Sequence, residues 1–183
     1  MGVSISALAL AIVLQGPGDG WAFVHDTGKV KTLYWELFDT TEVWLRLIPE
    51  GGAGEAPLQN LIFQAFFPGK QAKGRPARLV VRALALPLTL IRTPMLRFDV
   101  DGKSLDLTSD GARFRYLYPV CLGEGACSAN GVEAELEPAV LRWMLGARGL
   151  SGEGLGFTFR LTAEDQRLLA EFADAVGLRR EPR

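Results

Sequence analysis

Along Glu42–Ile48 the apolar residues Val43, Leu45 and Leu47 alternate with Trp44, Arg46 and Ile48. A period of two predicts a strand, here with one apolar face and one mixed face. Leu33–Phe38, separated from it by Asp39-Thr40-Thr41, reads as a companion strand of aromatic and branched residues. Asn60–Phe67 is almost continuously apolar, with bulky side chains on both faces, and stops at Pro68-Gly69. Ala77–Leu86 sets Leu79, Val81 and Ala83 against Arg78, Val80 and Arg82. Pro87 inside Leu84–Ile91 predicts an edge or a break between strands. Met95–Val100 and Lys103–Leu107 flank Asp101-Gly102, a strong two-residue hairpin signal. Arg113–Tyr118 alternates Arg113, Arg115 and Leu117 against Phe114, Tyr116 and Tyr118, and Pro119 ends it. Val132–Leu136 and Phe157–Leu161 complete the strands.

Between these runs, Pro49–Pro57 and the basic stretch Lys70–Pro76 read as loops, and Gly149–Gly156 as a glycine-rich turn. Pro138–Leu145 reads as a short helix entered through proline and left at Gly146. A second helix follows Thr162, with Asp165 placed to close a capping box. Its apolar stripe is Leu168, Leu169, Phe172, Ala173 and Val176, and Gly177 ends it. The pattern predicts a mainly β chain: a β-sandwich of roughly eight or nine strands with a short helix and a C-terminal amphipathic helix. Residues 23–178 form the expected single β-sandwich-like domain, followed by a frayed tail over 179–183.

The N-terminus bears on location. Ile5–Leu14 is apolar apart from Ser6, too short to span a bilayer and long enough for the core of a signal peptide. The breaker segment Gln15–Gly20 follows, and Gly20-Trp21-Ala22 offers small residues where a signal peptidase reads. Residues 1–22 are therefore expected to be a signal peptide cut after Ala22, which puts the protein in the periplasm or outside the cell. No Lys or Arg precedes the run, and the same residues would also serve as a buried N-terminal strand or helix. No later run of 18 apolar residues exists, so no integral membrane span is expected.

Composition narrows the chemistry. The 183 residues are 48% apolar, ample for a core. With 20 basic and 21 acidic residues there is no excess of positive charge to neutralise a phosphate backbone, and no nucleic-acid partner is expected. The cysteines are Cys121 and Cys127, bracketing a five-residue loop with Gly123 and Gly125. A disulfide closing so small a ring would contribute roughly 2 kcal/mol and pin a turn, and it implies an oxidising compartment. Two free buried thiols are the alternative in a cytosolic chain. A redox pair would show Cys-x-x-Cys, and zinc would need more ligands than these two cysteines and the sole histidine, His25.

Complete catalytic sets are missing. Gly102-Lys103-Ser104 lacks the upstream glycine of a P-loop, where Arg97 stands. Gly149-Leu150-Ser151-Gly152-Glu153 has Glu153 where a nucleophile elbow needs glycine. His25 has Asp26 beside it and no serine placed to serve it. Glu133, Glu135 and Glu137 share one side of a strand and read as a solvated outer face with Val132, Ala134 and Leu136 inward. No catalytic residue, cofactor or metal is expected. Arg78, Arg82, Arg113 and Arg115, with Tyr116 and Tyr118, form a possible binding surface for an anionic partner; outward charges that discourage edge pairing are the alternative.

The segments PLTLIRTPMLRFDVDGKSLDL, FRYLYPVCLGEGACSANGVEAELEPAVLRWMLGARGL and FTFRLTAEDQRLLAEFADAV resemble the C-terminal half of the invasion-associated locus B family of exported bacterial proteins. The shared features are the hairpin at Asp101-Gly102, the short loop Cys121…Cys127, the helix over Ala139–Leu145, and the closing helix with Phe172 and Ala175. The resemblance covers about half the chain, and the earlier cysteine pair of typical members is absent. It implies a periplasmic or surface-associated β-sandwich without catalytic residues. The expected function is that of a non-enzymatic interaction protein of the cell envelope, its partner an unknown protein or envelope component. A carrier or sensor of a small apolar ligand, and a hydrolase with an unrecognised site, are the alternatives.

Overall fold

A computed structural model describes residues 27–51, 60–85, 95–108, 114–121 and 127–178. The chain is mainly β; the described residues form two antiparallel sheets and two α-helices. The larger sheet contains β1 (Val30–Trp35), β2 (Thr40–Leu47), β4 (Asn60–Pro68), β5 (Arg78–Ala85), β8 (Phe114–Cys121) and β9 (Cys127–Glu135), in the order β1-β2-β4-β5-β9-β8. The smaller contains β3 (Glu50–Gly51), β6 (Leu96–Val100), β7 (Lys103–Asp106), β10 (Leu150–Gly154) and β11 (Phe157–Leu161), in the order β3-β11-β10-β6-β7. The helices are α1 (Pro138–Leu145) and α2 (Ala163–Ala175).

The core lies between the sheets. Val43, Leu45 and Leu47 of β2, Leu61, Phe63, Ala65 and Phe67 of β4, and Leu79, Val81 and Ala83 of β5 meet Leu96, Phe98, Leu150, Phe159 and Leu161 of the smaller sheet. Pairing in register, Val43↔Ala65 and Phe63↔Val81, keeps these alternate residues on one face. Helix α2 seals the same core: Phe172 is fully buried and its ring lies 6.2 Å from that of Phe63. Its N-terminus is fixed by the expected capping box, in which the Asp165 N–H donates to Thr162 Oγ1 at 3.1 Å and the Thr162 N–H donates to Asp165 Oδ2 at 2.9 Å.

Asp101 and Gly102 both take positive φ, 52° and 80°, the conformation of a tight two-residue hairpin turn between β6 and β7. Asp101 Oδ1 also accepts from the N–H groups of Arg148 and Gly149, both at 2.9 Å, so the hairpin holds down the loop that leads into β10.

Several boundaries differ from expectation. Gly149–Gly156 is not only a turn: β10 runs through it as the central strand of the smaller sheet. Glu36–Phe38 is a 3₁₀ turn rather than the end of β1. Pro119 does not stop β8, which continues to Cys121 across a register shift between Leu117 and Val120. A bulge of this kind accommodates a residue without an N–H. Together with the two-residue β3, these changes bring the described strands to eleven.

Gly152 explains why a glycine-rich segment becomes a strand. It pairs with Phe98 on one side and Phe159 on the other. Those rings meet edge to face, 5.4 Å apart at 77°. A Cβ at Gly152 would stand 2.2 Å from the Arg97 carbonyl oxygen and 2.6 Å from Phe159 Cζ. Gly152→Ala is therefore expected to destabilise the fold by about 1–3 kcal/mol, the usual cost of overpacking. A urea melt with an unchanged slope and an unshifted midpoint would refute this.

Candidate functional site: an arginine cleft fed by a buried ion-pair seam

The face of the larger sheet turned away from the core is buried too, although the sequence pattern predicts a mixed or solvated one. Trp44, Ile62, Val80 and Leu84 are each at most 3% exposed, and among them lie the polar residues Glu42, Asn60, Gln64, Arg82 and Glu133. A polar group in such a place is tolerated when it is hydrogen-bonded. Glu42 accepts from Trp35 Nε1 at 2.8 Å and from Gln64 Nε2 at 2.5 Å. Arg46 donates to Asn60 Oδ1, and burial holds its guanidinium below the ordinary arginine value.

The strongest part of this seam joins β5 to β9. One Glu133 carboxylate oxygen accepts from Arg82 Nε at 2.6 Å, with Arg82 Nη2 also at 2.6 Å. The other accepts from Arg78 Nη2 at 2.5 Å. Register pairing Arg82↔Glu133 places the two directly opposite each other, and Arg115 of β8 takes the position beyond Glu133. The Arg82 and Glu133 side chains are 6% and 1% exposed. Glu133 is thus no part of a solvated face, and Arg82 is a buried structural cation instead of a surface contact. Neither arginine guards an edge, because β5 lies between β4 and β9.

Arg78 is the link to solvent. Its side chain is 37% exposed and also reaches Glu135 at 3.3 Å. It lines an open cleft of about 780 Å³ built from the segment before β5, the end of β9 and the start of α1, with Leu178 in its wall. Arg75, Arg78 and Arg142 rim this cleft together with Glu135 and Glu137. Arg75 and Arg142 are exposed. Helix α1 presents Arg142 here because Leu141 and Met144 turn into the core, so the intervening positions face outward. A rim of planar guanidinium groups suits a carboxylate or phosphate, which arginine binds through paired hydrogen bonds.

Of the residues predicted to form a binding surface, Arg78 is in the cleft and Arg82 is buried behind it. Arg115 and Tyr116 are placed only by register, opposite Glu133 and Val132, and Tyr118 falls at the register shift. Arg113, residues 1–22 and His25 lie outside the described residues. Sequence reading missed Arg75 and Arg142 as site residues. The one available signal was the basic character of Lys70–Pro76; nothing in the spacing ties it to a helix more than sixty residues on. The backbone register sets Cys121 directly across from Cys127.

The chain matches no family model, no curated protein and no solved structure. Among the described residues, no three His, Cys, Asp or Glu side chains gather as a metal site, and no helix is long and apolar enough to cross a membrane. Between the sheets, the described interior is filled by side chains such as Phe63, Phe98, Phe159 and Phe172.

Proposed function

We propose that this protein is a non-enzymatic interaction module of the bacterial cell envelope, which receives an anionic group of its partner in the arginine cleft. The observation that carries this reading is the convergence of Arg75, Arg78 and Arg142 on one open cleft. Arg78 is held by the buried carboxylate behind it, so its guanidinium is oriented before a partner arrives. Placement outside the cytosol is part of the same proposal. The apolar run Ile5–Leu14, the opposed cysteines and the resemblance to the invasion-associated locus B family support it.

A photo-crosslinking residue at Ala139, which is exposed in the cleft, tests the proposal in intact envelopes. A discrete crosslinked partner is expected, weakened about tenfold when Arg75 and Arg142 are both changed to glutamate and weakened again by added salt. Crosslinks indifferent to both changes would refute recognition of an anion in the cleft.

A further inference from the structure

The strand order makes β1 an outer strand of the larger sheet. β2 fills one of its edges and, among the described residues, no strand pairs with the other. An open edge of this kind is a row of N–H and C=O groups that can take another strand. The surrounding surface is unusually apolar. Of the five large hydrophobic side chains exposed among the described residues, three sit on β1 or on the 3₁₀ turn after it: Leu33 at 38%, Leu37 at 72% and Phe38 at 38% exposure. Charge is polarised along the same stretch. Lys29 precedes the strand, Glu36 and Asp39 follow it, and all three are exposed.

A strand with a basic start and an acidic end complements its own reversed copy. Antiparallel pairing lays the start of one beside the end of the other, where opposite charges attract and like charges repel. We propose that β1 is the seam of a homodimer, in which a second copy of this chain adds its β1 antiparallel across a two-fold axis and joins the two larger sheets into one. The two-fold keeps each residue on its own face of the joined sheet, so the axis must pass through a residue paired with itself. With Leu33 on the axis, the two exposed Leu33 side chains meet. Lys31 then lies opposite Trp35 of the second copy and Lys29 opposite Leu37, with Glu36, opposite Val30, the next residue along. The seam is separate from the arginine cleft, which β5, β9 and α1 line.

Sedimentation of the full chain over a range of concentrations tests this, because the mass should rise from 19.9 kDa towards twice that value. Lys29→Glu alone and Glu36→Lys alone should each weaken association about tenfold, since each alters two symmetry-related ends of the seam. The double variant should associate like the wild type. An equimolar mixture of the two single variants should form a mixed dimer, because one then has two acidic ends and the other two basic ends. Both positions are exposed, and circular dichroism should show each variant folded. A wild type that stays monomeric throughout would overturn the proposal. So would a dimer that neither single reversal affects, or a double variant that fails to recover.

Discussion

Replacing Glu133 with alanine is expected to cost about 3–5 kcal/mol of folding stability, the usual loss when one partner of a buried ion pair is removed. Two arginines converge on this carboxylate, Arg82 from inside the protein and Arg78 from the cleft. Without it, Arg82 keeps a positive charge with only 6% of its side chain exposed and loses the acceptor directly across from it. Glu133→Gln keeps the shape and one acceptor oxygen but not the charge, so its loss should be smaller and of the same sign. Glu135→Ala is the control. That residue meets Arg78 at 3.3 Å with 44% of its side chain exposed, and an exposed pair contributes at most about 1 kcal/mol. Denaturant melts of the three variants give the comparison. Equal losses for Glu133→Ala and Glu135→Ala would mean that the seam is not the buried brace described here.

A loss of about 3–5 kcal/mol is likewise expected for Phe172→Ala. Phe172 is fully enclosed, and its ring is the point at which α2 meets β4 through Phe63. Truncation removes the transfer free energy of the ring and leaves a cavity among Leu168, Leu169 and Phe63, whose positions are set by a helix and a strand that cannot collapse freely. Phe172→Leu fills part of the space and should recover about half of the loss. Thermal or urea unfolding measures both. A Phe172→Ala protein within about 1 kcal/mol of the wild type would show that α2 is not part of the main core.

Some features are legible in the sequence because neighbouring residues determine them. The alternation of Val43, Leu45 and Leu47 marks β2, Asp101-Gly102 marks a turn, and Thr162 with Asp165 marks the start of α2. In each case the chemistry is complete within a few residues. Gly149–Gly156 fails for the opposite reason. Gly152 has weak strand propensity of its own, and Phe98, far back in the sequence, together with Phe159 across the hairpin makes the absence of a side chain the requirement. Glu133 fails similarly. A carboxylate alternating with Val132 and Ala134 looks solvated until Arg82 is placed opposite it from 51 residues away. The cleft draws on a loop, a strand and a helix, so its arginines have no shared spacing to find.

The order of strands also limits how the polypeptide divides. The hairpin of β8 and β9 completes a sheet begun by β1, β2, β4 and β5, and β11, which pairs with β10, also takes up β3 from the first third of the chain. A fragment starting near Leu88 would inherit the last two strands of one sheet without the four they extend. The portion before it would keep those four strands and lose α2, which closes the hydrophobic interior. The interleaved connectivity leaves neither portion with both sheets complete.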